Sequence, residues 1–241
     1  MAYKVYLSPS NQSANTFKDK KYNEYTFWHG LFTPVLKAEL ESRGYEVMVN
    51  SANETLATRA AKAKTWGANI YVALHSNASA SGNVRGAYYY YCNTKTDSDA
   101  RKRLAECFRD KMKALNIFTT SIITLGNNLI DCKTPAMPSI ICETGFHDNL
   151  SDCELIEGTY NAYAKAYADA IDEYFSASVG TVTENVTEEG DDNSLKTMLI
   201  YLLQCICVCC GTLPSKAYVD GDWGSQSKTA WASVMTKYSL S

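Results

Sequence analysis

At 241 residues the chain has room for one large domain and a small one. A net charge of -3 supplies no basic footprint for nucleic acid, and no apolar run reaches the length of a membrane span, so neither nucleic-acid binding nor membrane insertion is expected. Nine Cys, an odd number without paired spacing, do not form a disulfide framework and are expected to be mostly buried thiols acting as small hydrophobes.

The first residues, Met1 to Leu7, run directly into a strand pattern without a secretory apolar segment. Synthesis in the cytoplasm without a signal peptide is the expectation. Lys4 to Leu7 reads as the first strand, followed by a turn at Ser8–Gln12 and a polar loop to Asn23. Asn23 can cap a helix whose Phe27, Leu31, Val35, Leu36 and Leu40 make one apolar face. Pro34 inside that pattern predicts a kink. Gly44 ends the helix, Tyr45 to Val49 is a strand, and a second helix spans Leu56 to Trp66, stopped at Gly67. Ile70 to Leu74 is an almost wholly apolar strand ending at His75-Ser-Asn77. Gly86 to Cys92 is another strand, and its Tyr run reads as packing. Asp97 to Leu115 is helical, and Thr119 to Leu129 is a loop with a possible short strand.

Ser139 to Cys142 follows Pro135 and Pro138 and has the apolar character of a strand buried on both faces of a parallel sheet. It ends on Glu143, with His147 four residues later. Asp152 to Phe175, rich in Ala and Tyr at helical spacing, closes the domain. Strands alternating with helices predict an α/β fold, a mostly parallel twisted sheet flanked by helices on both faces. Ligands sit beyond the carboxyl ends of strands in such sheets. Asn11 follows the first strand, Glu24 starts the helix after it, His75 follows the third strand and Glu143 ends the last. Four polar residues thus converge on one rim.

The large domain is assigned to residues 1–176. Residues 177–192 have Gly, Ser and Thr, then Glu184, Glu188, Glu189, Asp191 and Asp192, with no apolar period, and read as an acidic linker. Residues 193–241 form a small helical domain, with a stripe at Leu195, Met198, Leu199, Leu202, Leu203 and Ile206. Cys205, Cys207, Cys209 and Cys210 alternate around one helix and so cannot all reach one metal ion.

Tyr6-Leu-Ser-Pro9, Asn23-Glu24-Tyr25, Arg59, Gly67 through His75-Ser-Asn77-Ala78, and Pro135 through Asn149 occur in an order that resembles the zinc-dependent N-acetylmuramoyl-L-alanine amidases of cell-wall lysis, the amidase-3 type. Leu203-Gln204, Gly211, Val219-Asp-Gly221, Trp223-Gly224, Ser227 and Ala230-Trp231 resemble a small peptidoglycan-binding domain. Together they have the layout of a phage endolysin or bacterial autolysin. An endolysin would reach the wall through a membrane lesion made by another protein of holin type.

The resemblance implies Zn2+ held by Glu24, His75 and a His after the first strand, with Glu143 as catalytic base, Asn77 of the His-Ser-Asn segment at the substrate and peptidoglycan as partner. Where the family has Gly-His, this chain has Ser10-Asn11. That leaves the third ligand open between His147, which is favoured, and Asn11, the runner-up, because an amide oxygen is a weak zinc donor beside imidazole. His29, five residues past Glu24, lies about 140° around an α-helix from it and ranks last. Zinc with an open position activates water and polarises a carbonyl, while a carboxylate shuttles the proton to the leaving nitrogen. Two other functions fit the same residues: a wall-binding protein with a lost metal site, or a metal-dependent peptidase or deacetylase on the same polymer.

Overall fold

The computed structural model describes residues 2–79 and 81–179. Most of the expected linker, and the whole of the expected domain at 193–241 with its four Cys, lie outside the described residues. Six strands form one sheet: β1 (Lys4–Pro9), β2 (Glu46–Val49), β3 (Ile70–Asn77), β4 (Ala87–Tyr91), β5 (Ser121–Leu125) and β6 (Ser139–Phe146). Their order is β2-β1-β3-β6-β4-β5. Five helices accompany them: α1 (Thr33–Ser42), α2 (Leu56–Trp66), α3 (Ser98–Leu115), the short α4 (Ile130–Lys133) and α5 (Leu150–Val179).

Successive strand residues face opposite sides of the sheet, and both sides are apolar. Val5, Leu7, Val72, Leu74, Ile140 and Cys142 pack with residues of α1, α3 and α5. Tyr6, Tyr71, Ala73 and Ile141 pack on the other side with Ala63 of α2 and Cys132 of α4. The two-sided α/β expectation therefore holds. The five free cysteines among the described residues, Cys92, Cys107, Cys132, Cys142 and Cys153, are all buried. No helix among the described residues is long and apolar enough to cross a membrane.

Three local features differ from the sequence reading. β4 runs antiparallel to β6, and β5 runs parallel to β4, so two of the six strands are reversed. The 78–86 segment is too short to carry the chain back across the sheet, as a parallel return from β3 would need. β6 does not stop at Glu143 but continues to Phe146. It does so because β3 also extends, with a register shift between His75 and Asn77 that keeps the ladder going. Gly145 takes φ 75 on the way, and a Cβ there would lie 2.8 Å from Ile156 and from Phe118.

The third difference precedes α1. Tyr25–Phe32 is π-helical and passes into α1 at Thr33, one residue before Pro34. Pro34 has no N–H to donate, and the Thr33 N–H reaches back five residues to Trp28 O. The change from wide to ordinary helix falls at this point. Asn23 caps the segment as its sequence suggests, its Oδ1 accepting from the Thr26 N–H at 2.8 Å while its own N–H donates to Thr26 Oγ1 at 3.0 Å.

Candidate active site

The carboxyl ends of β1, β3 and β6 lie side by side, and the expected site residues gather there. His75 and Glu143 are direct partners in the β3–β6 ladder. By alternation from Ala73 and Ile141, both project from the side of the sheet that α2 and α4 cover. Glu24 enters from the start of the π-helical segment and is almost wholly buried. Its Oε1 lies 3.8 Å from His75 Nδ1 and accepts the Ser76 N–H at 2.7 Å and the Ser76 hydroxyl at 3.1 Å. Its Oε2 accepts from Ser10 Oγ and from Asn15 Nδ2, each at 3.1 Å. A buried carboxylate with this many donors is held in one orientation.

The electrostatics follow from that packing. Burial alone would raise Glu24, but hydrogen bonding to His75, the charge of His75 and the Ser76 N–H hold it below the ordinary carboxylate value. For His75, burial pulls downward, yet the hydrogen bond and charge of Glu24 with the charge of Glu143 outweigh it and bring it up to about 9. Burial pushes Glu143 up to about 7; His75 opposes this and Glu24 adds to it. Glu143 Oε2 is shut off from solvent and has no hydrogen-bond partner. A buried oxygen without a partner marks a place where a further group belongs.

The other candidates sit as follows. His147 is buried against Phe17, the two rings stacked with centroids 6.1 Å apart. Its Nδ1 lies 3.1 Å from the Ser76 carbonyl oxygen and 3.2 Å from Ser76 Oγ. A carbonyl only accepts, so Nδ1 carries a proton, the tautomer that places the lone pair of a neutral ring on Nε2. Asn11 is exposed and its Nδ2 donates to the Ala52 carbonyl at 3.0 Å. His29 Nε2 lies 3.0 Å from the Asn50 carbonyl. The α-helical phase used to set His29 aside does not apply in a π-helical segment, where residues five apart come close to one face. The Asn50 contact engages it instead. Asn77 is fixed at the end of β3, its Oδ1 accepting the Ala78 N–H at 2.8 Å.

Glu24 and His75 are donors of the type zinc takes, and the unpartnered Glu143 oxygen stands beside them. Among the described residues, no three His, Cys, Asp or Glu side chains stand together so that they could already hold a metal ion.

Several contacts at the site escaped the sequence reading. Ser10 and Asn15 bond Glu24, and Ser76 joins Glu24, His147 and the Trp28 indole N–H, the last at 3.2 Å. Beneath the site, Arg59 donates from Nη1 to Ser8 Oγ and the Pro9 carbonyl, tying α2 to the end of β1. Tyr71 lies 2.8 Å from Ser8 Oγ and donates to Asp131. Arg59 and Ser76 lie in segments that carry the family resemblance, but their contacts join partners distant in the chain, which no local spacing announces.

Known proteins resemble this chain in sequence and in fold. The family model described as N-acetylmuramoyl-L-alanine amidase, Amidase_3, matches residues 10–173. The N-acetylmuramoyl-L-alanine amidase LytC of Bacillus subtilis (strain 168) is 30% identical over 126 residues, which are 51% of this chain and 25% of that protein. The chain thus covers a quarter of the length of that curated relative. The catalytic domain of CwlV, an N-acetylmuramoyl-L-alanine amidase from Bacillus (Paenibacillus) polymyxa var. colistinus, has a TM-score of 0.63 at 24% identity, over 72% of this chain and 98% of that one. The amidase Ami1 from Mycobacterium smegmatis gives 0.64 at 19%, over 73% and 97%. These two share the fold, and with a family match over most of its length the chain belongs to the N-acetylmuramoyl-L-alanine amidases of the Amidase_3 family.

Proposed function

We propose that this chain hydrolyses the amide bond between the lactyl group of N-acetylmuramic acid and L-alanine in peptidoglycan, as a zinc-dependent enzyme. One observation carries the chemistry: Glu143, with an unpartnered buried oxygen, is paired in register with His75, which faces Glu24. Glu24 and His75 would hold the zinc, and His147 through Nε2 would be the third ligand. The Nδ1–H bond to the Ser76 carbonyl supports this, because such a bond leaves the other ring nitrogen free for a metal. Asn11 is the alternative, with its amide oxygen the weaker zinc donor.

When bound, zinc supplies the Lewis acidity that polarises the scissile carbonyl and activates the attacking water. Glu143 accepts a proton from that water and passes it to the departing nitrogen, giving a carboxylate and a free amine. The wall-binding-like residues 193–241 support a lytic role of the endolysin or autolysin kind, with that segment attaching the enzyme to its polymer.

The test is digestion of purified peptidoglycan with and without chelator, followed by mass analysis of the fragments. Free N-terminal L-alanine, lost on chelation, is the expected product. Cleavage inside the stem peptide, release of acetate, or binding to the wall without cleavage would each replace this reading with one of the alternatives.

A further inference from the structure

β6 lies between β3 and β4 in the sheet, so any side chain bridging β3 and β4 must cross it. Tyr90 of β4 makes such a crossing. Its hydroxyl oxygen accepts from Asn77 Nδ2 of β3 at 3.5 Å. In the ladders, Tyr90 is opposite Ile141 and Asn77 is opposite Phe146. The bridge therefore runs diagonally over β6 across Glu143. Tyr90 also packs with Ile141, on the side of the sheet from which Glu143 projects.

The protons of this bridge can be accounted for. Asn77 Oδ1 is occupied by the Ala78 N–H, which fixes which end of the amide is nitrogen. One Nδ2 proton goes to Tyr90 and the second has no acceptor among the described residues. The Tyr90 hydroxyl accepts from Asn77, and its own proton also has no acceptor among the described residues. Two uncommitted protons on a fixed pair thus lie beside the carboxylate assigned as the base. Burial, opposed by the Asn77 bond and reinforced by the charge of Glu143, keeps the Tyr90 phenol above its ordinary pKa, so it holds its proton.

We propose that Tyr90 and Asn77 together donate hydrogen bonds to the substrate carbonyl oxygen as negative charge develops on it, which makes Tyr90 a catalytic residue. The inference rests on the amidase reading above and adds a residue that its chemistry does not otherwise use. Preorganised donors aimed at developing charge lower the barrier without tightening substrate binding.

The experiment uses the zinc-loaded full chain and a soluble muramoyl-peptide. Tyr90→Phe keeps the ring and should lower kcat on the order of 100-fold with KM nearly unchanged. Asn77→Ala should behave alike, and the double variant should lose less than the product of the two, because the pair acts on one oxygen. Tyr91→Phe, on the opposite side of the same strand, should match the wild type. As a readout without turnover, a phosphinate analogue with a tetrahedral centre should bind Tyr90→Phe more weakly by a similar factor. The uncleaved muramoyl-peptide should bind Glu143→Gln and Glu143→Gln/Tyr90→Phe equally. A raised KM with unchanged kcat, or equal weakening of both ligands, would make Tyr90 a binding residue and overturn the inference. An active wild type matched by Tyr90→Phe overturns this inference alone, whereas an inactive wild type overturns the amidase reading and this one with it.

Discussion

Glu143 and Glu24 are the same residue type a short distance apart, and their surroundings divide the work between them. Glu24 accepts four hydrogen bonds and stays ionised, whereas Glu143 keeps an oxygen with none. Glu143→Gln preserves shape but cannot take a proton, so hydrolysis should fall by at least about 100-fold. Zinc content should stay at the wild-type level, and its loss would make Glu143 a ligand. The His147 assignment is tested by zinc titration of three variants. His147→Ala should weaken zinc by orders of magnitude, since two protein donors are too few. Asn11→Ala should have a small effect because an amide oxygen is a weak zinc donor, and His29→Ala, engaged with the Asn50 carbonyl, should have none. Near-wild-type affinity in His147→Ala would sink the assignment. His75 and Glu143 were legible as polar residues at strand ends and Glu24 as one at a helix start on the same rim, places where apolar periodicity has no use for them. Ser76 was not: its importance lies in meeting Glu24, His147 and Trp28 at once, and no spacing along the chain announces such a junction.

Among the elements, α2 was read to its ends because both stop signals are local. Thr55 accepts from the Thr58 N–H, and Gly67 takes the left-handed cap. The reversed direction of β4 and β5 and the full length of β6 were less legible, since they depend on which strands become neighbours. Arg101 shows the same limit. A charged residue in α3 suggests a solvated face, yet this side chain is buried. Its guanidinium donates to the carbonyls of Cys132, Pro135 and Met137 and to Ser139 Oγ, which anchors the segment leading into β6. Arg101→Met would remove the donors and leave the Pro135 and Met137 carbonyls without them, the Cys132 carbonyl keeping the Ser139 hydroxyl. A loss of about 3 kcal/mol in denaturant unfolding is expected, comparable to breaking a buried ion pair. A change within 0.5 kcal/mol, the usual range for an exposed position, would show that the segment is held by other means.

At the scale of the molecule, alternating strands and helices were enough to read a two-sided α/β sheet and the rim where its site lies. What they could not supply is how the last helix closes the domain onto its first residues. Phe175 stacks on Tyr3 with ring centroids 3.9 Å apart, and Tyr45 donates to Asp172 at 2.6 Å. Arg43 pairs with both Asp169 and Asp172, so the C-terminal turns of α5 grip the turn between α1 and β2 and the residue before β1. A cut at 179 leaves all of these contacts in place, whereas a cut after Tyr167 removes every one. Residues 1–179 should therefore fold alone, melt in one transition within a few degrees of the full chain, and cleave a soluble muramoyl-peptide at a similar rate. Residues 1–167 should lose the cooperative transition. The proposed attachment role of 193–241 is read from the same pair of proteins on intact walls. The full chain should sediment with purified walls at concentrations where 1–179 stays in the supernatant. Equal sedimentation would take the binding role away from the C-terminal segment and leave it with the catalytic domain.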